Sequence, residues 1–188
     1  MPIGWTGDLT RLVPLDKARH LENFLAWVND PEITHNIFSG DFPMSREAEQ
    51  QWFDTMAEFS NQPTDIVLAI ETLAGEHIGM AGLHKIEWKS GVAMTGTTIG
   101  RREYWGKGFA SDAVRTRTRY AFEVLNLRLL LSEVYPENVG SLRVLTKNGY
   151  KECGRIPRRT WKRGSYRDVI MLYCERDEWA KSHTHVKP

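Results

Sequence analysis

Cysteine is nearly absent from this chain, with only Cys153 and Cys174 among 188 residues. The two sit in separate strand-like runs with no metal-ligand spacing, so no cysteine-built metal site is expected and both read as buried free thiols. No charge sign dominates, since the formal net charge is +1, which excludes a general nucleic-acid binder. One local basic cluster, 155–167, reads as a solvated hairpin. No apolar run approaches the roughly 20 residues of a membrane helix. The N-terminus lacks a charged-then-apolar leader, so a cytoplasmic location is expected. The P-loop pattern is absent, and so is the third glycine of a dinucleotide fingerprint, because position 111 is serine. Repeats, linkers and low-complexity segments are missing too. At 188 residues, 41% hydrophobic and 26% charged, the composition is that of one ordinary globular domain spanning 1–188. Its core is expected over about 9–179, with 181–188 a frayed tail.

What is present begins with the segment 98–110. A β-branched run ending in Thr98 and Ile99 leads through Gly100, Arg101, Arg102, Glu103 and Tyr104 to Trp105-Gly106-Lys107-Gly108-Phe109-Ala110. Two glycines two apart then open an amphipathic helix. Such a junction presents backbone N–H groups at a helix N-terminus, where the dipole favours an anion. Glycine lets the backbone approach that anion closely, and Lys107 adds a point charge. The helix carries small or apolar residues at Ala110, Ala113, Val114, Ala121 and Val124, and Arg115, Arg117 and Arg119 on its other face.

Around this junction the periodicity predicts a mixed α/β chain. A strand fits 10–14, and Asp16 caps a helix that ends at Asp30-Pro31. Ser45 caps a second helix through about Phe59. Strands at 66–71, 77–86 and 92–99, joined by turns at Gly75 and Gly91, make an antiparallel meander. After the loop helix come a strand at 128–134, a short helix at 139–148 stopped by Gly149, and a hairpin of strands 151–156 and 167–174.

A second motif follows the strand at 128–134. It runs Glu137-Asn138-Val139-Gly140-Ser141-Leu142-Arg143 and closes on Lys147-Asn148-Gly149-Tyr150. Together the two segments resemble the GNAT superfamily of acyl-CoA-dependent N-acetyltransferases. The first is similar to that family's pyrophosphate loop, with Glu103 where glutamine or arginine is usual, and the second to its N-x-x-S helix. The Trp105 context and the run 27–33 resemble the Rim-type subgroup, which contains ribosomal-protein N-terminal acetyltransferases. The resemblance implies a GNAT fold with a central mixed sheet splayed at the CoA site and flanked by helices. It implies acetyl-CoA as acyl donor, no metal, and a primary amine as acceptor, either a protein N-terminus or a small molecule; it leaves room for a homodimer. Pantetheine would run along Ile99, Gly100 and Arg101, and the pyrophosphate would meet Trp105, Gly106, Lys107, Gly108, Phe109 and Ala110. Asn138 would hold the pantetheine amides, although a helix cap is the commoner use of asparagine there. Ser141, the one catalytic candidate the resemblance supplies, would lie near the thioester sulfur.

Direct transfer needs a neutral amine. Freeing an amine of pKa about 10.4 at pH 7 costs roughly 4–5 kcal/mol, whereas an α-amine of pKa about 7.7–8.0 costs roughly 1 kcal/mol. Rim-type enzymes often carry a glutamate for this purpose, and the implied alignment puts Met94 in its place. The base is therefore expected elsewhere, with Glu71, Glu87 and His84 on neighbouring strands as candidates. Asp41, in the loop between the first two helices, can meet a cationic acceptor or simply be solvated. Polyamine, amino-sugar and aminoglycoside acceptors are the rival readings within the enzyme class. A CoA-binding sensor module without catalysis is the rival from another class.

Overall fold

The computed structural model describes residues 5–58 and 60–183. Its centre is a seven-stranded sheet in the order β1-β2-β3-β4-β5-β7-β6. The strands are β1 (Thr10–Pro14), β2 (Ile66–Thr72), β3 (His77–Glu87), β4 (Val92–Ile99), β5 (Leu129–Val134), β6 (Lys151–Lys162) and β7 (Ser165–Glu175). The helices are α1 (Lys17–Val28), α2 (Pro31–Thr34), α3 (Arg46–Ala57), α4 (Phe109–Arg119), α5 (Val139–Lys147) and α6 (Arg176–His183). All neighbouring strands are antiparallel except β4 and β5. No helix among the described residues is long and apolar enough to cross a membrane.

The strand pattern sorts two layers onto the sheet. Along β3, Ala81 and Leu83 point into the core that α4 covers through Ala113 and Val114. Met80 lies on the opposite face, against Leu21, Phe24 and Phe53 of α1 and α3. The helices begin where sequence chemistry expects: Asp16 accepts the N–H of Arg19 at 3.0 Å, and Ser45 accepts that of Ala48 at 3.1 Å.

Several expectations need correction. Asp30-Pro31 ends α1 but also starts α2, because Asp30 accepts from Glu32 N–H at 2.8 Å and proline suits the first helical position. The last hairpin is longer at both strands than expected: β6 runs past Pro157 to Lys162 through a register shift between Ile156 and Thr160, and β7 starts at Ser165. An edge strand tolerates proline in this way, and Arg158 absorbs the bulge at φ 50°. Within it, Lys162 is fully buried rather than solvated. Cys174 is buried, but Cys153 on the outer strand is exposed. Residues 181–183 continue α6 instead of fraying. Phe59 and the end of the expected tail fall outside the described residues.

Arg117 is the largest departure. Spacing places it on the helix face opposite the apolar residues, yet it is 1% exposed. Asp112, one turn earlier, is buried as well. It accepts main-chain N–H groups of Asp8, Leu9 and Thr10 at 2.9–3.0 Å and the Thr10 hydroxyl at 2.7 Å. This carboxylate moors β1 to α4. Burial pushes its pKa up, but the Thr10 hydroxyl and the three main-chain donors outweigh burial and hold it below the usual carboxylate range. A depressed folded-state pKa gives stability that is present above the unfolded pKa and lost as pH falls through the folded one. Asp112→Asn should therefore cost about 1–3 kcal/mol at neutral pH and flatten the acid limb of the stability curve. Urea unfolding of both proteins between pH 3 and 7 measures this; parallel curves would exclude the mooring role.

Candidate functional site

β4 and β5 share only three parallel rungs, Val92↔Leu129, Ala93↔Leu130 and Met94↔Leu131. Beyond them β4 continues to Ile99 against β3, and β5 continues to Val134 against β7. The two strands therefore diverge and leave a notch. At its closed end the Thr95 hydroxyl donates to Leu131 O at 3.0 Å. Arg117 lies beneath, donating to Gly96 O at 2.8 Å, to Thr97 Oγ1 at 2.6 Å and to Tyr150 Oη at 3.1 Å. Its Nε has no partner among the described residues. Gly100 spends its N–H on Ile78 O of β3, so by strand alternation Thr97 and Ile99 turn their main-chain groups toward the notch. Ile99 O accepts the indole N–H of Trp105 at 2.8 Å.

At the mouth of the notch, residues 102–104 make one 3₁₀ turn, and Gly106 and Gly108 follow at φ 72° and 91°. Both conformations favour glycine. Gly108 caps α4, and the first helical bond runs from Asp112 N–H to Gly108 O at 3.0 Å. The N–H groups of Phe109, Ala110 and Ser111 are thus left without helical acceptors. Glu103 does not crowd this donor set. Its side chain is 58% exposed and reaches Arg101 at 3.4 Å. A main-chain hydrogen bond and Arg101 lower its pKa.

On the β5 side, Asn138 caps α5 by accepting Ser141 N–H at 3.0 Å, and its amide donates to Asn36 O at 3.3 Å. It therefore also fastens the loop between α2 and α3. The β6–β7 hairpin grips the same region. Lys162 donates to Ser39 O at 2.9 Å and pairs with Asp41 at 2.8 Å. Arg163 donates to Pro31 O and Thr34 Oγ1, and Arg167 to His35 O. Phe38 packs on buried Tyr135 with ring centres 4.6 Å apart. None of these loop contacts, nor the role of Arg117, was legible from spacing, because each joins residues far apart in sequence.

The candidate bases separate clearly. Glu71 is fully buried between Arg11, Arg19 and His20. Burial raises its pKa, but hydrogen bonds from His20 and Arg11 and the charges of both arginines more than reverse this. It joins β2 to β1 and α1 and is spent there. Glu87 ends β3, beyond a register irregularity. His84 pairs across the strands with Met94 and bonds Asp65. His77 is enclosed, and burial followed by the neighbouring His20 pushes its pKa down to about 4.

Three comparisons bear on this arrangement. A family model described as an acetyltransferase (GNAT) domain matches residues 10–151, ending where β6 begins. "Uncharacterized N-acetyltransferase p20" of Bacillus licheniformis is 33% identical over 155 residues, covering 81% of this chain and 85% of that protein. Spermidine N(1)-acetyltransferase of Escherichia coli (strain K12) is 31% identical over 81 residues, covering 43% and 44%. Among solved structures, spermidine N-acetyltransferase from Vibrio cholerae in complex with CoA and spermine superposes with a TM-score of 0.83 at 21% identity. It covers 90% of this chain and 97% of that one.

Gly100 joins the two faces of the site. A Cβ there would meet the Trp27 ring at 2.0–2.5 Å, so α1 lies directly on the end of β4. Gly100→Ala should displace that ring and cost about 1–3 kcal/mol, lowering Tm by several degrees. A thermal melt equal to wild type would show that α1 does not depend on this contact.

Proposed function

The chain belongs to the GNAT acetyltransferase family and is an acyltransferase, and we propose that it transfers the acetyl group of acetyl-CoA to a primary amine at the notch between β4 and β5. The observation that carries this reading is the ladder that stops after Met94↔Leu131. It leaves main-chain groups of Thr97 and Ile99 free to pair with an extended, amide-bearing chain such as pantetheine. The N–H groups of residues 109–111 and the glycine turns at 106 and 108 suit the pyrophosphate. In this reading Trp105 releases Ile99 O as pantetheine enters. Asn138 keeps its cap and offers its amide N–H groups, and Ser141, on the first turn of α5, lies toward the sulfur. A tetrahedral oxyanion would be held by main-chain donors of β4.

This assignment of the loop is tested at Gly108. Valine at φ 91° is strained and places a branched side chain at the helix start. Gly108→Val should weaken acetyl-CoA binding more than tenfold, about 1.4 kcal/mol, while the circular dichroism spectrum is retained. An unchanged Kd by calorimetry would refute the site.

For the acceptor we favour an amine carrying a single charge and a low pKa, such as a peptide α-amine or an amino sugar. Three cations of the hairpin face the loop that covers the acceptor side. Lys162 is balanced by Asp41, whereas Arg163 meets carbonyl and hydroxyl groups, and Arg167 meets a carbonyl, an imidazole and the face of the Tyr135 ring, with no ion pair to either arginine among the described residues. Uncompensated cations there oppose a polycation. The polyamine reading has its own support in the similarity to spermidine acetyltransferases. Comparison of kcat/KM for a peptide α-amine, glucosamine and spermidine between pH 6 and 9 separates the two. The low-pKa amines should lead at neutral pH by at least tenfold, and all rates should rise as the amine deprotonates. Spermidine as best substrate at neutral pH would establish the polyamine reading instead.

A further inference from the structure

We propose that His84, oriented by Asp65, is the general base that deprotonates the acceptor amine; this rests on the acetyl-transfer reading of the notch. Alternation along β3 puts Met80, Gly82 and His84 on the face shared with α1 and α3, opposite the face covered by α4. His84 does not project straight out. Its Nε2 lies 2.2 Å from where a Cβ on Gly82 would stand and 3.5 Å from the corresponding point on Gly96. These two glycines are cross-strand partners. The imidazole therefore lies in a berth that Gly82 leaves open, with Nε2 reaching over β4 to ordinary contact distance from Gly96. Glycine inside a strand commonly marks such a close approach.

The ring's chemistry follows from its contacts. Nδ1 is 2.9 Å from Asp65 Oδ1, and a carboxylate can only accept, so Nδ1 carries the proton in the neutral ring. Nε2 is then a bare lone pair above Gly96, two residues past the last shared rung of β4 and β5. Both side chains remain reachable, at 41% exposed for His84 and 35% for Asp65. Around the ring, Asp65 is the charged neighbour on the β2 side, and Met94 and Gly96 on the β4 side are uncharged. Phe24, Trp52 and Phe53 line this face from the helices. Three other candidates are committed: Glu71 to its cluster, His20 to Asp16 N–H and Glu71, and His77 to Asn23 and Gly79 O.

In the step, Nε2 takes one proton from the ammonium group and leaves a neutral amine. The nitrogen lone pair attacks the thioester carbonyl carbon. As the C–N bond forms and the C–S bond breaks, the electron pair leaves on sulfur, which gains the second proton shed by nitrogen. His84 returns its own proton to water.

The test uses the full chain, saturating acetyl-CoA, and the amine with the highest kcat/KM from the panel above. His84→Gln should lower kcat by about a hundredfold at pH 7 while leaving the Kd for CoA unchanged. The deficit should shrink as pH rises toward 9, because the free amine then forms without help. Imidazole added to His84→Ala should restore part of kcat, and Asp65→Asn should lower it about tenfold. Gly82→Ala, which evicts the ring from its berth, should mimic the loss. A deficit that is the same at every pH, with no imidazole rescue, would mean a structural role and overturn the inference. So would wild-type kcat in His84→Gln at pH 7. Wild-type protein that binds CoA yet releases thiol with no amine would instead overturn the transfer reading of the notch, and this inference with it.

Discussion

The architecture turns on a parallel strand pair that is prevented from closing. Adjacent strands gain main-chain hydrogen bonds at every rung, so β4 and β5 should continue to pair unless something holds them apart. Arg117 lies where they part. Its guanidinium bridges Gly96 O and Thr97 Oγ1 on β4 to Tyr150 Oη, in the segment between α5 and β6. A buried cation with no carboxylate partner carries a desolvation cost of several kcal/mol. The fold keeps it, which fits a strut whose length and planarity matter more than its charge. The crotch is finished by Thr95, whose hydroxyl ties Leu131 O at the last rung. Notch, loop and α5 all take their positions from this divergence.

The side of the notch toward α5 and the hairpin is assembled differently, by polar tethers between distant segments. Asn138 serves both α5 and Asn36 O, so the helix on one side of the notch and the loop over it are set by one side chain. The hairpin adds Lys162, Arg163 and Arg167. Exposed bonds of this kind contribute little each, about 0.5–1.5 kcal/mol, whereas fully buried Lys162 is a firmer anchor.

Local rules made much of this legible. The strands 10–14, 66–71, 77–86 and 92–99 read from β-rich runs between glycine turns, and the glycine pair at 106 and 108, expected for a close backbone approach, takes positive φ. Asp16 and Ser45 declared their helices. Where sequence reading failed, a tertiary contact had overridden a local preference. Arg117 belongs by spacing to a polar face, but that face is turned inward because the notch beneath needs a filler. Pro157 looks like a strand end, yet an edge strand absorbs it in a bulge. Cys153 looks like its buried partner Cys174 because periodicity cannot tell an outer strand from an inner one.

The ionisable groups divide along the same line. Glu71, Asp112, His20 and His77 are buried and saturated with partners, and their energy is spent on docking β1 and α1 to the sheet. A group so enclosed makes a poor proton shuttle, since water cannot restore its starting state. His84 and Asp65 are the exception on the acceptor face, being ordered by one hydrogen bond yet open to solvent. Gly82 gives up a side chain in the middle of the sheet to seat that ring, and Gly96 faces it on the next strand. Glycine at a central strand position weakens the strand, by roughly 0.5–1 kcal/mol relative to alanine. One imidazole standing where the Gly82 Cβ would be suits the geometry of the proton removal proposed for His84 better than it suits stability.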